Sequence, residues 1–138
     1  MKTMIMLILT TVVLTAGCTY TTNVTRDQRF ERIMNARSVC AKERLRLYGI
    51  DQVVTSSGDR YDLTSIDRGP KNLIGYIDAG HKVRLKKINR HHDMGYIWEQ
   101  LEGEVIFKGR LYPFCFYMGN SVYPDGWTRI TDSFEVFR

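Results

Sequence analysis

The chain has no apolar run long enough to cross a bilayer as a helix. The run from Met4 to Leu14 is about half of the roughly 20 residues that a span needs. It has no nucleophile-elbow sequence, no phosphate-cradling Gly-rich loop and no His-x-x-x-His pair, so the common starting points for hydrolase, nucleotide and helical zinc chemistry are missing. Charge of one sign is scarce as well. Twenty Lys and Arg against 15 Asp and Glu leave +5, or +4 without Lys2, which is too mild to argue for nucleic acid as a partner. Cysteine is limited to Cys18, Cys40 and Cys115. Neither Cys40 nor Cys115 has beside it in sequence the cationic group and base that make a reactive thiolate. With no internal repeat or low-complexity tract, 138 residues suit a single domain.

What is present begins with the leader. Met1-Lys2 supplies a charge, Met4 to Leu14 a short apolar core, and Leu14-Thr15-Ala16-Gly17-Cys18 a stretch of small residues ending in cysteine. Charge, apolar core and small residues in that order are those of a secretory signal. With a cysteine directly after Ala-Gly, residues 1–18 resemble a bacterial lipoprotein signal, although Thr15 stands where that family usually has Leu. An ordinary signal peptide is the other reading. The resemblance implies acylation of Cys18, removal of residues 1–17, and anchoring to a membrane through the acyl chains. Thr19 is not the Asp that retains such proteins at the inner membrane. The implied location is therefore the outer membrane, with the domain facing the periplasm.

Once Cys18 carries lipid, Cys40 and Cys115 remain as a pair in an oxidising compartment, which favours a disulfide. Closing a loop of about 75 residues would contribute about 4 kcal/mol in the chain-entropy picture. Two buried thiols are the alternative.

Residues 18–24 are small, polar and unpatterned, and read as a tether. The globular domain is expected over 25–138. Thr25 and Gln28 have capping-box spacing, and Phe30, Ile33, Met34, Cys40, Ala41, Leu45 and Tyr48 fall near a period of 3.6. That predicts an amphipathic helix over 25–48, closed by Gly49 and interrupted on its apolar face by Arg37 and Arg44. From residue 50 onward the chain reads as short strands and turns. Gly69-Pro70-Lys71-Asn72 and Lys108-Gly109 are turns, and Lys82 to Lys86 alternates cationic with apolar residues. Lys87-Ile88 breaks that alternation and predicts a bulge. Asn89 to Gly95 reads as a polar loop. Short strands punctuated by glycine suggest a small barrel over 50–138. The stretch Gly75 to Leu85 resembles the opening of bacterial SH3-like modules, a likeness extending over residues 73–130. The expected fold class is α+β, mainly β: a helix packed on a small SH3-like barrel, with Cys40 brought towards Cys115.

Three groups could carry chemistry. His91, His92 and Asp93 are metal-ligand types, but adjacent residues of a strand point to opposite faces, so one ion needs a bent loop; a hydrophilic loop is the alternative. Glu99, Glu102 and Glu104 offer carboxylates for acid–base work, or form a solvated outer face. Lys82, Arg84 and Lys86 make a cationic row suited to an anionic polymer, or a solubilising surface. Tyr112, Phe114, Phe116, Tyr117, Trp98, Trp127 and Tyr123 supply rings, most of which a domain this small must bury. No cofactor is expected. The expectation is a non-enzymatic, lipid-anchored binding protein of the cell envelope, its partner an envelope protein or an anionic polymer such as peptidoglycan. One alternative is a mobile-element or phage-encoded lipoprotein acting in superinfection exclusion or envelope defence. Another is a metal-handling protein using His91, His92 and Asp93.

Overall fold

The computed structural model describes residues 19–49, 61–120 and 130–137. Cys18, the leader, Tyr123 and Trp127 lie outside the described residues. In chain order the elements are β1 (Tyr20–Asn23), the one-turn helix α1 (Glu31–Met34), β2 (Val39–Ala41), β3 (Leu45–Gly49), β4 (Tyr61–Thr64) and β5 (Leu73–Ile77). They continue with β6 (Lys82–Asp93), β7 (Tyr96–Phe107), β8 (Arg110–Asn120), the one-turn helix α2 (Ile130–Ser133) and β9 (Phe134–Val136). The strands form a mixed sheet in the order β5-β3-β4-β8-β7-β6-β2-β9, with β1 also beside β6. Only the β4–β8 pair among these is parallel. The sheet curls into a half-barrel.

This overturns the expected fold. Strand accounts for 59% of the structure and helix for 8%, and the helix over 25–48 is not there. One turn, α1, survives around Phe30, Ile33 and Met34, and Asn35 caps it. Beyond it the apolar spacing is period two: Leu45 and Leu47 are fully buried, while Arg44 is exposed and Arg46 half-buried. Of the two arginines that interrupt the apparent helical stripe, Arg37 lies in the bend between α1 and β2 and Arg44 directly before β3, while Arg46 takes the outward position within β3. Thr25 does not form a capping box either. Its hydroxyl donates to Asn23 Oδ1 at 2.6 Å and accepts the Ile88 amide at 3.0 Å, fastening the segment to β6. Residues read as a tether form β1, paired from Tyr20↔His92 to Asn23↔Asn89. The small SH3-like barrel is likewise replaced, because β6, β7 and β8 are long strands of one meander and a parallel β4–β8 contact joins it to β3 and β5.

Interior residues come from alternate positions of the curled sheet. Leu101 and Val105 of β7, Tyr112, Phe114, Phe116 and Met118 of β8, and Val83 and Ile88 of β6 meet Phe30, Ile33 and Phe134. Of the rings expected in the core, Tyr112, Phe114 and Phe116 are buried, Trp98 is half-buried and Tyr117 is exposed on the outer face. Cys40 lies between the core residues Val39 and Ala41, and Cys115 between Phe114 and Phe116, so both turn away from the common interior. Strands β7 and β6 separate β8 from β2 in the sheet. The bridge expected between the two cysteines is not formed; they are separate buried thiols.

The predicted bulge is present: the β6–β7 register slips between Leu85 and Lys87. It sits opposite Gly103, where an added Cβ would stand 2.5 Å from the Arg84 carbonyl oxygen and 2.7 Å from the Phe114 ring. Glycine is required there because two backbones and a ring converge, and the bulge rotates Lys86 outward beside Arg84.

Candidate functional site

The turn Lys108–Gly109 joins β7 to β8, both residues at positive φ (49° and 78°), as a tight hairpin demands. At this end of the sheet lies a groove of about 580 Å³. Its apolar lining comes from Ile33 and Met34 of α1, Leu85 of β6, Ile106 of β7 and Leu111 of β8. Ile106 and Leu111 face each other across the hairpin and are 62% and 51% exposed, unusually open for such side chains. Arg37, Lys82 and Arg84 bring positive charge to the same groove, together with His81 and Glu104. The His81 ring is held by a 2.7 Å contact from Nε2 to the Ile106 carbonyl.

Two members of the expected cationic row, Lys82 and Arg84, thus line the groove, while Lys86 lies outside it at the bulge. The row is tied together by one carboxylate: Glu104 meets Arg84 at 3.2 Å and Lys86 at 3.0 Å. Lys82 stands 4.6 Å over the Phe137 ring. Arg37, Lys82 and Arg84 outnumber Glu104, so the groove keeps a positive balance. Sequence reading missed Arg37, Ile106 and Leu111. Arg37 was visible as an anomaly in an apolar stripe; the other two flank a turn that only pairing brings face to face.

The hydrogen bond from Lys86, with the nearby charges of Lys86 and Arg84, holds the Glu104 carboxyl below its ordinary value of 4.5. A carboxyl depressed in the folded state favours folding above its unfolded value, and that contribution is lost as pH falls through the lower, folded one. The stability difference between the native chain and Glu104→Gln, read as urea midpoints, should therefore be present at pH 7 and shrink below about pH 4. An equal gap at both pH values would show that the Glu104 charge contributes nothing.

The other candidates are dispersed. His91 and His92 lie in β6 rather than in a loop, and face opposite sides. His91 stacks on Trp98 at 3.9 Å and meets the Thr21 hydroxyl at 2.9 Å. His92 stacks on Tyr20 at 4.1 Å, and Asp93 accepts from Thr19 at 3.3 Å. Among the described residues no three His, Cys, Asp or Glu side chains gather where they could hold a metal ion. Glu102 pairs with Lys87 at 3.1 Å. Glu99, expected on a solvated face, is 1% exposed and points into the half-barrel. Its Oε1 accepts from Arg90, directly opposite on β6, and from Arg29, both at 3.1 Å. Asp27 is held below the usual carboxylate range by its hydrogen bonds from Arg29 and completes the cluster. Burial, then the Glu135 carboxylate, pushes the Cys40 thiol up and away from the nucleophilic form.

No family model matches this chain. It is similar over 52 residues, at 33% identity, to the ammonia monooxygenase gamma subunit of Nitrosomonas europaea. That stretch is 38% of this chain and 22% of the relative, so the chain spans under a quarter of that protein's length. No solved structure matches. Among the described residues no helix is long and apolar enough to cross a membrane.

Proposed function

We propose that this chain is a lipid-anchored, non-enzymatic binding protein of the cell envelope, and that its groove takes an acidic, partly apolar segment of an envelope protein. The observation that carries this is the placement of Arg37, Lys82 and Arg84 around the open apolar pair Ile106 and Leu111. Apolar side chains left half-open beside cations suit a partner that brings both apolar groups and negative charge. Peptidoglycan supplies the charge but fewer large apolar groups. The lipid anchor is supported by the leader and Cys18 of the sequence. A non-enzymatic role is supported by the Cys40 thiol's raised value and by the engagement of Glu99, Glu102 and Glu104 with cations. The gamma-subunit likeness covers too little of that protein for its activity to be carried here.

A photo-crosslinking residue at Leu111 in living cells, followed by identification of the captured chain, tests the reading. The double variant Lys82→Glu, Arg84→Glu should reduce capture about tenfold, since each exposed charge is worth about 1 kcal/mol or less. Undiminished capture by that variant would sink the groove as the binding site. Co-sedimentation with purified sacculi at the same charge dependence would move the partner to peptidoglycan.

A further inference from the structure

At the opposite end of the β6–β7 hairpin the turn is Met94–Gly95, with φ of 38° and 93°. Such a turn favours Asn, Asp or Gly at its first central position, because a bulky side chain in the left-handed region is strained by about 1 kcal/mol. Met94 occupies it nevertheless and is 80% exposed, so the domain gains almost no burial from it. Tyr20 and Tyr96 flank it, 52% and 36% exposed. Tyr20 is carried there by pairing with His92, and Tyr96 by pairing with Asp93. The same register leads the chain into the domain at this tip. Thr19, hydrogen-bonded to Asp93 at 3.3 Å, directly follows Cys18 in the sequence.

We infer that the tip formed by Tyr20, Met94 and Tyr96 seats in the interfacial layer of the bilayer that holds the Cys18 acyl chains; this rests on the anchored reading above. A thioether side chain suits the boundary of the acyl region, and tyrosines suit the headgroup level, with the ring apolar and the hydroxyl wet. An anchor adjacent to β1 presents these three side chains to the lipid surface at high local concentration, so weak interfacial contacts suffice. The consequence reaches the groove. Strand β6 spans 12 residues, roughly 35–40 Å, with the tip at one end and Lys82 and Arg84 at the other. Docking by the tip stands the hairpin up from the membrane and holds the groove about 30 Å clear of it, facing the periplasmic space. Reach is then set by a rigid strand rather than by a flexible tether.

The test uses the full chain, acylated in cells and reconstituted in phosphatidylethanolamine–phosphatidylglycerol vesicles. Nitroxide labels are placed singly through Met94→Cys, Tyr20→Cys and Lys108→Cys, with the unsubstituted protein as labelling control. Labels at 94 and 20 should be about threefold less accessible to a water-soluble nickel relaxant than the label at 108. Labels at 94 and 20 as accessible as at 108, on protein whose intact mass includes the acyl chains, would overturn the tip assignment and leave the anchor standing. Protein without acyl mass that stays in the supernatant would overturn the anchor, and the tip assignment with it. Dipolar broadening at residue 94 that grows with the protein-to-lipid ratio would place a second copy of the chain there, and overturns the assignment too.

Discussion

Phe134→Ala is expected to lower the unfolding free energy by about 4 kcal/mol, the range for emptying a large buried aromatic site. Phe134 is fully buried, packs at 6.4 Å against Phe114 with nearly parallel rings, and meets Phe116 edge-on at 5.2 Å. It is also the first residue of β9, whose partner is Ala41 of β2. One side chain therefore joins the end of the chain to the middle of β8 and closes the curl of the sheet. Alanine would leave a void between strands that cannot approach without breaking their register, so relaxation is limited. Urea denaturation gives the measurement. Phe137→Ala, at a ring that is 43% exposed, is the comparison and should cost about 1 kcal/mol or less. A Phe134→Ala loss no larger than that of Phe137→Ala would mean β9 is not part of the cooperative core.

Glu99→Ala should cost about 3 kcal/mol, because removing one partner of a buried ion cluster leaves its counter-charges uncompensated. Glu99 occupies an interior-facing position in line with Leu101 and Val105, and its carboxylate separates two guanidiniums. Arg90 and Arg29 keep side-chain exposures of 30% and 50%, so some solvation persists and the cost stays near the lower end of the usual range. Arg29→Ala should cost less, about 1 kcal/mol, since Arg90 still holds Glu99 through Nε and Nη2. In a double-mutant cycle the Arg29 and Glu99 changes should be non-additive. Strict additivity would show that the segment carrying Asp27 and Arg29 is not latched to β7 through this carboxylate.

The cluster also shows where sequence reading stops. Glu99, Glu102 and Glu104 look alike in a row of polar alternation, yet Glu99 is buried among arginines while Glu104 gathers the cationic row. The difference lies in which face curls inward, and in Arg29 arriving from 70 residues away. The misreading of 25–48 has a related origin. Three apolar residues, Phe30, Ile33 and Met34, do form a helical turn, and residues with period two follow closely enough to extend the pattern falsely. Local spacing cannot separate a short helix followed by strands from one longer helix when each piece is this brief.

Sequence alone determined the features that live within a few consecutive residues. These are the Lys108–Gly109 hairpin, the turn at Gly69 to Asn72, the alternation that exposes Lys82 and Arg84, and the bulge near Lys87. Each depends on the allowed backbone angles or the two-residue period of one strand. Tertiary structure alone decided that Arg37, Ile106 and Leu111 meet at one groove, that Cys40 and Cys115 turn outward from the common interior, and that β1 enters at the Met94 tip. Those depend on strand order and on the sense of the curl, which are set by pairings between distant segments that no local pattern encodes.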